Sequence, residues 1–211
     1  MAEQILTPSD LYGAGTSNTI ILGGTVTAVL STNQYSYFFS GGDGQTNWDS
    51  VITAASSPNV DTSNPLWAAQ LSGRGTNAYI NTRVMSEFNL SGISGTILSI
   101  TAYLTTMGAS EVINVNLYDA GTTGLTGIGG EYSYYRDEGE VKFSDTAQDL
   151  SSFSTFGFTL NSAALTVANT KPSSFVIAAV NSFDFNSSSP TPLYTTYQVT
   201  VSTITLNVTH S

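Results

Sequence analysis

Charge and tyrosine are concentrated at one place in this chain, the segment from Glu131 to Glu140 and its continuation to Asp149. If the segment is extended, Tyr132 and Tyr134 share one face while Tyr135 takes the other, with Arg136 and Asp137 beside the rings. A flat pair of rings flanked by polar groups can stack on a sugar or on the apolar surface of a partner. Tyr132, Tyr134, Tyr135, Arg136 and Asp137 are therefore the candidate contact residues, set against the plainer reading of a solvated hairpin. Gly139 makes the turn in that reading and returns Val141 and Phe143 to the core side. Glu138 and Glu140 would lie about 6–7 Å apart on one strand face, a spacing that two glycosidase carboxyls could use and that any exposed hairpin also shows.

Other chemistries lack their parts. The single imidazole, His210, lies next to the C-terminus, where a frayed tail could not hold a Ser-His-Asp geometry. No glycine loop followed by Lys-Ser/Thr is present, which excludes P-loop chemistry. Cysteine is absent, so disulfides, thiolate metal sites and a cysteine nucleophile are excluded. Asp43, Asp49 and Asp61 fall in a loop-rich stretch and could offer oxygen ligands to calcium, although turn-forming Asp has the same appearance. No other cofactor is expected, and the chain is read as non-enzymatic.

The elements that must position these residues read as strands. Ile80, Thr82 and Val84 alternate with Tyr79, Asn81 and Arg83; Ile100, Ala102 and Leu104 with Thr101, Tyr103 and Thr105; Ile113, Val115 and Leu117 with Asn114 and Asn116. A period of two means strands with one dry face. Gly108 predicts a hairpin between the second and third of these runs. Val26, Val29 and Leu30 after Ile20–Leu22, then Tyr35–Phe39, predict two earlier strands. Trp48, Val51 and Ile52 are expected to plug one end of the core, as is Trp67. Phe156, Phe158 and Leu160 alternate, and Ala164 and Leu165 continue that strand or begin a loop. Phe175–Val180 is continuously apolar, as a central strand covered on both faces would be. The last strand changes phase between Val201 and Ile204, which predicts a bulge at Ser202 and Thr203. No helix longer than a turn or two is expected. The class is all-β, an antiparallel two-sheet sandwich of jelly-roll type. Residues 1–19 read as an N-terminal arm and 20–211 as one domain.

Composition narrows the partners. The chain has 211 residues, 40% of them hydrophobic but only 9% charged, against roughly 25% charged in an ordinary soluble domain. Its exposed faces must therefore be Ser, Thr, Asn and Gly. A net charge of −10 repels phosphate backbones, so nucleic acid is not an expected partner. No apolar run is long enough to span a membrane, and the N-terminal stretch has no signal-like pattern. The expectation is a protein assembled inside a cell, as virion parts are, or one that lacks its signal.

Phe88-Asn-Leu-Ser-Gly-Ile93, followed by Gly95-Thr-Ile-Leu-Ser-Ile100 and an alternating strand, resembles a β-sandwich module of bacteriophage virion proteins and of secreted bacterial surface and carbohydrate-binding proteins. Val199, Val201, Ile204, Leu206 and Val208 match the closing strand of such modules. Trp48, Asp49 and Asp61 could stand for the Trp and the Asp-bearing loop that commonly precede it. The resemblance covers roughly residues 43–208 and lies in apolar spacing, so it carries over no binding residue. It implies a structural component of a virus particle, such as a capsid-decorating, fibre or tail-associated protein. The expected partners are other virion proteins and further copies of the chain, with a host glycan as a further candidate. The alternative is a carbohydrate-binding module of a secreted bacterial protein, found outside the cell. The arm and the glycine-rich loop from Gly121 to Gly130 are expected to order only against neighbouring subunits.

Overall fold

The computed structural model describes residues 17–18, 26–31, 33–40, 48–57, 59–61, 65–72, 77–121, 125, 129–170, 173–191 and 195–211, with side chains from residue 48 on apart from 59–65 and 70–78. The arm over 1–19, except Ser17 and Asn18, lies outside these residues. So do Ile20–Leu22, Asp43 and most of the glycine-rich loop.

The chain is all-β. In order it forms β1 (Ser17–Asn18), β2 (Val26–Ser31), β3 (Asn33–Ser40), helix α1 (Trp48–Ile52), β4 (Asn59–Asp61), β5 (Pro65–Ser72), β6 (Asn77–Phe88), β7 (Ile97–Ala109) and β8 (Ile113–Asp119). A 3-10 turn (Gly129–Ser133) leads into α2 (Tyr134–Asp137), followed by β9 (Gln148–Leu150), β10 (Thr155–Thr159), α3 (Ser162–Thr170), β11 (Phe175–Asn181), α4 (Ser182–Phe185) and β12 (Thr196–His210). Every pairing is antiparallel, and the strands form one connected sheet curled nearly shut around the core. One run of ladders is β4-β3-β6-β11-β8-β9; another is β10-β7-β12-β2-β1. β5 joins the two, pairing with β6 along Ala68–Ser72 and with β12 along Pro65–Ala69.

The three strands read from residues 78–120 are present, but their connections differ from expectation. β7 pairs with β10 and β12, and β8 with β11 and β9, so the stretch at Gly108 is not a hairpin. β7 runs through Gly108, and the chain crosses from one run of ladders to the other at Ser110–Val112. The alternation in β6 also means something else. Residues 79–86 are all buried, because a second layer covers the face that carries Asn81, Arg83 and Met85. Period two predicted one dry face; covering the other face requires a segment distant in sequence, here 129–140.

β11 lies between β6 and β8 and is buried throughout, as its unbroken apolar run implies. The bulge in β12 is present: the register with β7 shifts on both sides of Val201, and Ser202 Oγ donates to the Thr105 carbonyl at 3.0 Å. His210 is not in a frayed tail. It is a buried ladder residue opposite Ile97.

α3, with nine residues, is longer than the turn or two expected of any helix. Its buried positions are Ala164 and Ala168, correctly spaced for one helix face but too small to stand out as hydrophobic periodicity. Asn161 precedes it, and its Oδ1 accepts from the N–H groups of Ala163 and Ala164 at 3.0 and 3.3 Å. Such a cap satisfies donors that the first helical turn leaves orphaned. Replacing Asn161 with Ala is expected to cost about 1 kcal/mol in urea unfolding, with the slope of the transition unchanged.

A closed arginine–aspartate–tyrosine cluster as candidate functional site

Five basic residues occur in the chain, and one of them, Arg83, is fully buried. It projects from β6 toward the covered outer face and meets Asp184, the third residue of α4. Arg83 Nε donates to Asp184 Oδ2 at 2.6 Å and Nη2 to Oδ1 at 3.0 Å, a bidentate pair with neither side chain exposed. Fork geometry of this kind is what guanidinium and carboxylate planes favour. The guanidinium lies over two rings, 3.9 Å from the centroid of Tyr132 and 4.5 Å from that of Tyr135.

The remaining polar atoms are matched in the same way. Asp184 also accepts from Asn81 Nδ2 at 2.6 Å, the Tyr135 hydroxyl at 2.7 Å and Arg136 Nη2 at 2.9 Å. Asn181 Nδ2 donates to Asn81 Oδ1 at 2.7 Å, while its own Oδ1 caps α4 by accepting from Asp184 N at 3.1 Å. Two of the last carbonyls of α1 are met here. Ile52 O accepts from Arg83 Nη2 at 2.5 Å and Arg136 Nε at 3.0 Å, and Val51 O from the Tyr132 hydroxyl at 3.2 Å. Arg83 Nη1 donates to Tyr132 O at 2.5 Å. One buried ion pair thus ties α1, the 3-10 turn, α2 and α4 to β6 and β11.

Electrostatics follow from this enclosure. Burial alone would raise the Asp184 carboxyl, but the charge and hydrogen bonds of Arg83, then Arg136 and the Tyr135 hydroxyl, hold it below the ordinary carboxylate range. Burial pushes the Tyr132 hydroxyl up to about 12 despite the opposing Arg83 charge. The Tyr135 hydroxyl is raised as well, by burial and by Asp184. A carboxylate that accepts five bonds and is a weaker base than usual is poorly suited to removing a proton. The arrangement does structural work.

The candidate contact residues are brought together, but not as a strand. Residues 129–137 form the 3-10 turn and α2, which rotates Tyr132 and Tyr135 into the protein with no exposed surface. An extended chain would have put Tyr132 and Tyr134 on one face; here Tyr132 and Tyr135 share it, three positions apart as in a helical turn. Tyr134 is half-buried, Arg136 is partly exposed and pairs with Glu140, and Asp137 is exposed and accepts from Ser133 Oγ at 2.6 Å. The flat Tyr132–Tyr134 platform is therefore absent. Gly139 does make a turn, with φ +79°, and Phe143 returns to the core while Val141 stays exposed. Glu138 and Glu140 flank that turn and do not share a strand face.

Trp48 packs as expected. It is buried, edge-on to Tyr79 with centroids 6.1 Å apart, and its Nε1 donates to Phe183 O at 3.1 Å. Asp49 is exposed on α1, and Asp61 falls in the ladder of β4 with β3. Among the described residues no three His, Cys, Asp or Glu side chains gather as metal ligands.

Sequence reading missed Arg83, Asp184, Asn81 and Asn181. Two signals were available. Asn181-Ser-Phe-Asp184 has the spacing of a helix N-cap with an acidic residue three positions on, and Arg83 is the one basic residue within an alternating strand. No protein-family model matches the chain, and no curated protein sequence is significantly similar to it.

Proposed function

We propose that the chain is a non-enzymatic structural component of a virus particle, above all of a phage: a capsid-decorating, fibre or tail-associated protein that packs against copies of itself and other particle proteins. The observation that supports this reading is the outward face of β10, β7 and β12. Across it run the rows Thr155–Thr105–Thr203, Gly157–Tyr103–Thr205 and Thr159–Thr101–Asn207. The alternate positions Ala102, Leu104, Phe158, Ile204 and Leu206 point into the core. These three strands contain no Asp, Glu, Lys or Arg, in a chain with net charge −10.

β-branched threonine suits a pleated sheet and keeps the face hydrated through hydroxyls. Copies of so acidic a chain repel one another, and repulsion is least where a face carries no charge. We further propose that the two runs of ladders stack as the layers of a jelly-roll sandwich with β5 at the corner, since the β6–β7 and β7–β8 connections cross between runs. An experimental structure with the two runs roughly 10 Å apart face to face would agree with that arrangement.

Sedimentation velocity is expected to give a discrete homo-oligomer. Thr155→Glu together with Thr203→Glu, at two exposed positions on the face, should return it to monomer without loss of folding. Mass spectrometry of purified particles should find the chain in fixed copy number. A monomer at every concentration, together with absence from particles, would overturn the reading.

A further inference from the structure

Among the described residues β9 and β10 are edge strands, each paired on one side only, with β8 and β7 respectively. The segment before β9 and the one after β10 meet at the isolated bridge Ser144↔Leu160, and beside it opens a groove of about 270 Å³. Asp145, Thr146 and Gln148 line one wall, Gly157 and Thr159 the other, and Asn161 the end.

Asn161 Nδ2 donates to Lys142 O at 3.1 Å and to Asp145 Oδ1 at 2.9 Å. That bond orients the carboxylate and leaves Oδ2 without a partner among the described residues. The side chains of Thr146, Gln148 and Thr159 likewise form no hydrogen bond among them. Polar side chains nearby are paired with one another: Asn114 with Asp149 at 2.8 Å, and Thr105 with Thr155 at 3.0 Å.

The backbone adds two more groups. Leu160 N donates to Ile100 O at 3.0 Å and Thr106 N to Ser154 O at 2.8 Å, which places the even-numbered residues of this strand at the hydrogen-bonded positions toward β7. By the alternation of an antiparallel ladder, the peptide N–H and C=O of Gly157 then face the free edge and the groove. Glycine lets another molecule approach that peptide closely. The Tyr103 ring lies against Gly157, near enough that an added Cβ would sit 3.3 Å from its Cε1.

We infer that this groove binds one neutral sugar residue, the end of an uncharged glycan. A carboxylate oxygen, a side-chain amide, two hydroxyls and an edge peptide supply donors and acceptors in the mixture that vicinal sugar hydroxyls require. Asp145 and the net charge of −10 disfavour an anion. The volume lies just below the roughly 300–1,000 Å³ of small-molecule sites, which suits one ring and not an extended chain. Gly157 and Thr159 also belong to the face proposed for self-association, so the groove is open in the free chain, whether or not the protein belongs to a particle.

Amide chemical-shift titration of the whole chain tests it, using the methyl glycosides of glucose, galactose, mannose and N-acetylglucosamine, with N-acetylneuraminic acid as the anionic control. At least one neutral glycoside is expected to shift and saturate resonances confined to 145–148 and 157–161. Asp145→Asn and, separately, Thr159→Val should each weaken that binding at least about tenfold while leaving the rest of the spectrum unchanged. Two separate variants keep the test informative if one of them fails to fold. No saturable shift with any neutral glycoside, shifts elsewhere, shifts with the anionic sugar alone, or unchanged affinity in a folded variant would each overturn the assignment.

Discussion

Asp184→Asn is expected to destabilise the protein by about 3–5 kcal/mol, read as a shift of the urea midpoint, because it leaves the buried Arg83 charge without its counterion. The substitution hardly changes volume, so the loss is electrostatic and not steric. Asn also brings an amide donor to a position where Asn81, Arg83, Tyr135 and Arg136 all point donors. One of them then faces another donor with no water to turn to. The exposed pair between Arg136 and Glu140 supplies the contrast. Glu140→Gln should cost no more than about 1 kcal/mol, since solvent screens that pair and its side chains lose freedom in holding it.

The same carboxyl sets an acid limit. Its folded-state pKa lies below the unfolded value of about 3.9, so its contribution is complete above about pH 4 and is lost as pH falls through the folded value. Asp184→Asn should therefore flatten the acid limb of the stability profile. Tyr132 acts at the other end. With its pKa raised to about 12, its contribution is complete below about pH 10 and is lost as pH rises through about 12.

Tyr132→Ala is expected to cost about 3–5 kcal/mol, the range for deleting a large buried aromatic ring. The ring fills space beside Met85, Val176 and Ala178, stacks on the Arg83 guanidinium, and carries the hydroxyl that meets Val51 O and accepts from Asn81 Nδ2 at 2.8 Å. Tyr132→Phe separates these parts: it keeps the packing and should lose about 1–2 kcal/mol for the hydrogen bonds. Tyr134, two positions away, is half-buried, and Tyr134→Ser should cost much less than Tyr132→Ala. Comparable losses at 132 and 134 would contradict the helical placement of this segment and favour the extended one.

Strands were legible wherever alternation or an unbroken apolar run existed, as in β7, β8 and β11, and the phase change in β12 marked its bulge. Their partners were not legible. Nothing local distinguishes the β7–β8 connection from a hairpin, because the information lies in β12, which claims the β7 edge from about a hundred residues away. The candidate site was half legible for a related reason. The tyrosines and Arg136 stood out as a cluster of unusual composition, but whether the segment is extended or helical depends on the buried cation beneath it. Arg83 sits at a position that alternation assigns to solvent. A charged strand residue faces outward in most sheets, and only the covering segment makes this one internal.

A double-mutant cycle on Arg83→Met and Asp184→Leu, measured by urea unfolding, tests most directly whether this pair holds the helices onto the sheet. Asp184→Leu should strand the buried Arg83 charge, and Arg83→Met should leave Asp184 with only the partly exposed Arg136; each is expected to cost about 3–5 kcal/mol. The double change removes both charges and should recover about 2–3 kcal/mol of the summed loss, short of full recovery because Asn81 and Tyr135 still lose their acceptor. Additivity within about 0.5 kcal/mol would mean that the two residues act independently, and would contradict the account.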